Sequence, residues 1–198
     1  MRIDFLRHGT TGRDGYLDGR TDAHLSEIGW RQFRRQTQGS VWPLVVSSPL
    51  VRARSAAEDF ARQSGCALRI DADWAELDFG RWDGRLRSKI ASEPEGAELL
   101  DAFYHDPAAF TAPDGESWID VQVRVGRALD RLLAVPEPSS VLVVSHGGAI
   151  RAALAQCLGW PLQSLWSLRI TPGTRIGFEA GRSDDGALWG EIVEIIQP

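Results

Sequence analysis

Two histidines in this chain occupy the same kind of place. Each follows an apolar run and precedes a glycine: Leu6-Arg7-His8-Gly9-Thr10-Thr11 near the N-terminus, and Val144-Ser145-His146-Gly147-Gly148 much later. A third apolar run leads into Ser48-Pro49-Leu50-Val51-Arg52-Ala53. These segments offer two imidazoles, the guanidinium groups of Arg7 and Arg52, the Thr11 hydroxyl, and backbone N–H groups beside Gly9, Gly147 and Gly148 that no side chain obstructs. The set suits a phosphate monoester, which is bound by guanidinium forks, imidazole donors and the N–H groups that open a helix. Glycine after His8 lets the phosphate come close to the backbone. His8 can also act as a nucleophile, taking the phosphoryl group and splitting hydrolysis into two displacements stabilised by fixed positive charge. The leaving oxygen then needs a proton. Glu76, in Glu76-Leu77-Asp78-Phe79-Gly80-Arg81-Trp82-Asp83-Gly84, follows a fourth strand-like segment and can supply it, with Asp73 and Asp78 as nearby alternatives. A dianion beside that glutamate favours its protonated form.

Other chemistries fit less well. The sequence holds no GxxxxGK[ST], HExxH or GxSxG pattern. Its four His and two Cys are too scattered for a metal cluster. The expected reaction uses neither metal nor cofactor, and the expected partner is a small-molecule phosphate ester.

Bringing three such segments together requires a sheet whose strand ends share one edge, because open parallel sheets bind ligands beyond the carboxyl ends of their strands. The pattern supplies one. Strands are predicted over 2–6, 44–47, 67–71 and 141–144; the last is a continuous β-branched run, which marks a strand covered on both faces. Helical spacing predicts a helix from about Pro49 to Gln63 and another carrying Trp118, Val121, Val125, Leu129, Leu132 and Leu133, with Ser117 as its N-cap. A third helix follows Gly147 and stops at Gly159 before Pro161. Segments 175–179 and 191–196 flank Asp185-Gly186 as a hairpin. Strand–helix alternation of this kind gives an α/β fold, a three-layer sandwich with a mostly parallel central sheet flanked by helices. The region 81–117, rich in charge, Trp and Pro, reads as a helical insertion covering the site within a single domain over residues 1–198.

Composition is that of an ordinary globular chain: 198 residues, 43% hydrophobic, 25% charged, net charge −5. Lys89 is the only lysine among 22 basic residues, and arginine clusters suit anions because the guanidinium fork matches phosphate geometry. The acidic balance lacks the footprint of a nucleic-acid binder. Cys66 and Cys157 read as buried reduced thiols. Two charges fall in the first four residues, no secretory run follows, and no stretch approaches the ~18 apolar residues of a membrane span. A cytoplasmic protein with no membrane contact is expected.

The four ordered motifs, with the Gly19, Asp22, Leu25, Gly29 pattern between the first two, resemble the histidine phosphatase superfamily, the phosphoglycerate-mutase-like group. The resemblance runs from residue 2 to about 160. It implies a phosphoglycerate-mutase-like fold, His8 as the phosphorylated nucleophile, Arg7, Arg52 and His146 as phosphoryl ligands, and Glu76, four residues before Gly80, as proton donor. Thr10 stands where many members carry Glu, and Asp14 where many carry an Asn that helps to hold phosphate. A carboxylate at position 14 repels the dianion unless turned away or paired, for instance with Arg13 or Arg20. The short chain favours a phosphatase over a mutase, since a mutase must exclude water from its phosphohistidine. The segments at 79–84, 113–117 and 165–166 look similar to the bacterial α-ribazole-5′-phosphate phosphatases of cobalamin assembly, and Trp82 and Trp118 are the expected stacking surfaces for that substrate's ring. Phosphoglycerate-mutase-type transfer and a non-catalytic phosphate-ester-binding pseudophosphatase are the alternatives.

Overall fold

A computed structural model gives the fold and describes residues 1–134 and 140–198. In chain order the strands are β1 (Arg2–Arg7), β2 (Tyr16–Leu17), β3 (Leu44–Ser47), β4 (Ala67–Ile70), β5 (Arg85–Leu86), β6 (Ser140–Ser145), β7 (Arg175–Arg182) and β8 (Leu188–Ile196). The helices are α1 (Glu27–Thr37), α2 (Val51–Ser64), α3 (Arg87–Ala91), α4 (Gly96–His105), α5 (Trp118–Leu133) and α6 (Gly147–Leu158). Six strands form one sheet in the order β4-β3-β6-β1-β7-β8, while β2 and β5 pair as a separate short ribbon. From β4 to β1 the pairs are parallel; β7 and β8 close the edge as an antiparallel hairpin. This is the mixed α/β, mostly parallel sheet expected from the alternation.

Side-chain alternation explains the three layers. Val141 and Val143 of β6 join Ile3 and Phe5 of β1 in a core shared with α5 and α6. Leu142 and Val144 point the other way, with Leu6, Val45 and the alanines of α2. That is why the β6 run is apolar without interruption. Ser117 caps α5 through a reciprocal capping box with Asp120, and Gly159 ends α6 in the left-handed conformation at φ 64°.

The two-residue strands β2 and β5 escaped the sequence pattern, as did helix α1. Helix α1 buries only Gly29, Phe33, Gln36 and Thr37, too polar a stripe to register as an apolar face. It matters because it braces the loop after β1. A Cβ on Gly9 would lie 2.1 Å from the Gly29 carbonyl oxygen, so the two backbones touch only because both residues are glycine. The Ser26 N–H and hydroxyl both donate to the Thr10 carbonyl, and the Gln32 side chain accepts from the Thr10 N–H. Cys157 is buried as expected and its thiol is pushed up to about 12 by burial. Cys66 is only half-buried. No helix among the described residues is long and apolar enough to cross a membrane.

Candidate active site

The carboxyl ends of β1, β3 and β6 meet, and a cavity of about 390 Å³ opens there. Its wall includes Arg7, His8, Thr11, Arg52, Glu76, Trp118 and Gly147. The backbone draws the two histidine segments together: the His8 N–H donates to the Ser145 carbonyl at 2.9 Å, and the two imidazoles meet edge to face, ring centroids 5.0 Å apart. His8 is buried, and its Nδ1 lies 2.7 Å from the Gly9 carbonyl. A carbonyl only accepts, so Nδ1 carries the hydrogen and Nε2 keeps its lone pair for attack. His146 is arranged in the opposite sense. Its Nε2 is 2.7 Å from the Ser48 hydroxyl, while Nδ1 is buried without a partner among the described residues. The Ser48 oxygen also accepts the Leu50 N–H, so the hydroxyl ties His146 to the start of α2.

Positive charge surrounds this pair. Arg7 donates through Nη1 to the Ile170 carbonyl at 2.7 Å, and its buried Nε has no partner among the described residues. Arg52, on the first turn of α2, donates to the carbonyls of Thr21, Asp18 and Gly19 at 2.7–2.9 Å. Burial, then Arg52 and Arg7, hold His8 well below the usual 6.5; burial, then Arg52, His8 and Arg7, do the same to His146. Both imidazoles are therefore neutral at neutral pH, as a nucleophile requires. Without ligand this has a cost on acidification. The unfolded chain takes up protons on both histidines below about 6.5 whereas the folded chain resists, so stability is full above that pH and falls beneath it, by about 1.4 kcal/mol per pH unit for each histidine. Urea midpoints in phosphate-free buffer between about pH 7.5 and about pH 5.5 should show the decline. A His146→Asn variant should show a shallower one, and parallel curves for the two proteins would contradict the neutral pair.

Glu76 lies across the cavity in the loop after β4. Its carboxylate accepts the Leu77 N–H at 2.9 Å and the Gly148 N–H at 2.9 and 3.2 Å. A Cβ at position 148 would lie 2.3 Å from Glu76 Oε1 and would push that carboxylate out of place. The N–H of Gly148, which the sequence pattern assigned to phosphate, is thus engaged by Glu76, although both Gly147 and Gly148 line the cavity. The alternatives to Glu76 point elsewhere: Asp73 pairs with Arg127 and Arg131, Asp78 with Arg20, and neither lines the cavity. Asp14 lies exposed on the cavity rim and takes neither expected partner, because Arg13 bonds Asp18 and Arg20 bonds Asp78.

One expected residue is misplaced. Trp82 does not line the cavity; it is 4% exposed and packs behind the wall, stacked on Phe110 and edge-on to Phe103. Position 82 sits in a one-turn 3₁₀ helix whose inner face meets α4, so the indole fills core instead of the pocket. The aromatic wall is built by Phe79, Phe103, Tyr104, Trp118 and Trp166, the indole N–H groups of Trp118 and Trp166 being buried without partners among the described residues. The pattern also missed Arg151, whose pKa burial lowers to about 10. Its guanidinium lies 4.9 Å over the Trp166 ring and donates to the carbonyls of Gly147, Leu165 and Leu168. The signal was present, since a residue four past Gly147 shares its helix face.

A family model of the histidine phosphatase superfamily (branch 1) matches residues 3–184. The chain belongs to the histidine phosphatase superfamily. Among the relatives of this histidine-phosphatase chain is a bifunctional protein of Mycobacterium tuberculosis, 36% identical over 165 residues. The match takes in 79% of this chain, which spans 44% of that protein's length. A glucosyl-3-phosphoglycerate phosphatase of Mycobacterium tuberculosis is 32% identical over 175 residues, 81% of this chain and 77% of that one. The native structure of the mycobacterial glucosyl-3-phosphoglycerate phosphatase superposes with a TM-score of 0.83 at 28% identity, covering 96% of each chain. An α-ribazole phosphatase from Shigella flexneri shares the fold at a TM-score of 0.82 with 24% identity, covering 97% of this chain and 94% of that one.

Proposed function

We propose that the chain is a phosphomonoesterase that hydrolyses a small-molecule phosphate ester through phospho-His8. The observation that carries the reading is the meeting, in one cavity, of a neutral His8, Arg7, Arg52 and the carboxyl of Glu76, with the fully buried His146 ring packed against His8 behind the wall. Support comes from the mycobacterial glucosyl-3-phosphoglycerate phosphatase, also solved with inorganic phosphate and superposing at a TM-score of 0.80 with 27% identity.

In the first displacement Nε2 attacks phosphorus, the ester P–O bond breaks, and the leaving oxygen takes the proton of the Glu76 carboxyl. In the second, water attacks phosphorus and gives its proton to Glu76; the P–N bond breaks and the electron pair returns to Nε2. Arg7, Arg52, Thr11, His146 and the Gly147 N–H hold the equatorial oxygens throughout, where charge develops. Residues 81–117 act as cover, α4 placing Phe103 and Tyr104 in the cavity wall. The reading includes a cytoplasmic site of action.

The aromatic wall favours an ester whose alcohol carries a ring, and α-ribazole-5′-phosphate is the first substrate to test. A second reading, glucosyl-3-phosphoglycerate, rests on Arg87. That exposed arginine lines the cavity mouth, and among the described residues its side chain has no hydrogen-bond partner, so a glycerate carboxylate would suit it. The deciding experiment is phosphate release from a panel of monoesters with EDTA and no added metal. Preference for α-ribazole-5′-phosphate assigns the first substrate, and preference for glucosyl-3-phosphoglycerate the second. Isomerisation of 3-phosphoglycerate with a bisphosphoglycerate primer would assign a mutase. Tight binding with no release from any ester would assign a binding protein.

A further inference from the structure

The segment that carries Glu76 has little regular structure of its own. After the 3₁₀ turn Ala72–Trp74, residues 75–79 are neither helix nor strand, yet Glu76 must be held accurately for proton transfer. One guanidinium supplies the missing bonds. Arg124, on α5 and 7% exposed, donates through Nη1 to the carbonyls of Asp73 at 2.8 Å and Ala75 at 2.7 Å, and through Nη2 to the carbonyl of Glu76 at 3.1 Å. Its Nε and Nη2 form a fork on the Glu116 carboxylate at 2.6 and 2.9 Å. All five N–H donors of the group are thereby engaged. Glu116 closes the circuit: its carboxylate accepts the Asp78 N–H at 3.2 Å, and its own N–H donates to the Asp78 carbonyl at 2.9 Å.

We propose that the Arg124–Glu116 pair is a positioning clamp for the Glu76 proton donor, fixing its carboxyl between the Gly148 N–H and the leaving oxygen. Arg124 does not line the cavity and touches neither substrate nor His8. It acts through the backbone on both sides of Glu76, while the carboxylate is held in front by Gly148. The inference rests on the reading of Glu76 as the acid. Lysine cannot replace the arginine, because a single ammonium has three donors and no planar fork to reach three carbonyls and a carboxylate at once.

A displaced acid has a signature that general damage lacks. Esters with poor leaving groups need the proton; esters with good ones leave without it. The experiment measures kcat/KM, which reports the first displacement, for para-substituted phenyl phosphates from p-nitrophenyl to p-methoxyphenyl. Glu76→Gln should raise the ratio of the p-nitrophenyl to the p-methoxyphenyl value by about tenfold or more. Arg124→Lys and Glu116→Gln should raise it in the same direction by a smaller factor, while inorganic phosphate inhibits both as it does the parent. An unfolded fraction lowers every ester equally and cannot move the ratio, and Glu116→Gln, the milder change, answers alone if Arg124→Lys does not fold. If Glu76→Gln moves the ratio and both clamp variants leave it unchanged, the clamp is overturned while the acid stands. If Glu76→Gln itself leaves it unchanged, the acid assignment fails and the clamp with it.

Discussion

His8→Ala should abolish ester hydrolysis, with kcat falling on the order of 10⁴ or more, while the protein still folds and still binds inorganic phosphate. The size of the loss follows from what the residue does. In the proposed mechanism the other groups around the cavity bind the phosphoryl oxygens or handle the proton, whereas the imidazole Nε2 forms the bond. Its lone pair is directed by the Gly9 carbonyl on Nδ1 and kept free of a proton by burial beside Arg52 and Arg7. An alanine leaves space for a water, but that water has no base positioned to activate it, since Glu76 in the first displacement carries the proton that the leaving group needs. Phosphate binding should survive because Arg7, Arg52 and His146, the proposed phosphoryl ligands, remain. The check has two parts: steady-state release from the preferred ester, and rapid acid-free quench with labelled ester to trap a phosphoenzyme. The parent should show the label on protein and His8→Ala none. Hydrolysis by the variant within an order of magnitude of the parent would remove the phosphohistidine from the mechanism.

How much of this was legible in the sequence depended on whether a residue's role is local. The ends of β1, β3 and β6 could be read because each strand is short, apolar and followed at once by the residues that matter, and because β6 needs both faces apolar. Parallel pairing then brings His8, Arg52 and His146 to one edge with no further information. Helix α1 was not legible: its contribution is the contact of Gly9 with Gly29, and the absence of a side chain leaves no hydrophobic period to find. The aromatic wall was half legible. A tryptophan in a charged segment signals burial somewhere, but which indole turns to the cavity and which to the core depends on how α4 packs, and so Trp118 and Trp82 part company. The Arg124 clamp was least legible of all. Its acceptors are mostly carbonyl oxygens, which every residue has, so no residue type at any spacing announces it.

Arg52→Ala should lower kcat/KM by on the order of 10³, and Arg52→Lys should recover less than about tenfold of that loss. The argument turns on the two tasks this side chain performs at once. Three of its N–H groups are already fixed on the carbonyls of Asp18, Gly19 and Thr21, which leaves two for the phosphoryl oxygens. The same loop is gripped from the other side by Asp83, whose carboxylate accepts the N–H groups of Gly19, Arg20 and Thr21 and the Thr21 hydroxyl. Gly19 in turn rests on the Glu76 segment, since a Cβ there would lie 2.3 Å from the Leu77 carbonyl oxygen. Removing the guanidinium therefore takes a fixed charge from the transition state and leaves three carbonyls without donors beside the proton donor. A lysine restores the charge alone. Its ammonium can face the phosphate or the carbonyls but cannot bridge them in one plane, so the loop and the phosphoryl group compete for it. Hydrogen exchange over residues 18–21, read beside kcat/KM, separates the two tasks: both variants should exchange faster there than the parent, with Asp83→Asn faster still. If Arg52→Lys returns kcat/KM to within about threefold of the parent, a point charge suffices and the fork has no part in holding the site.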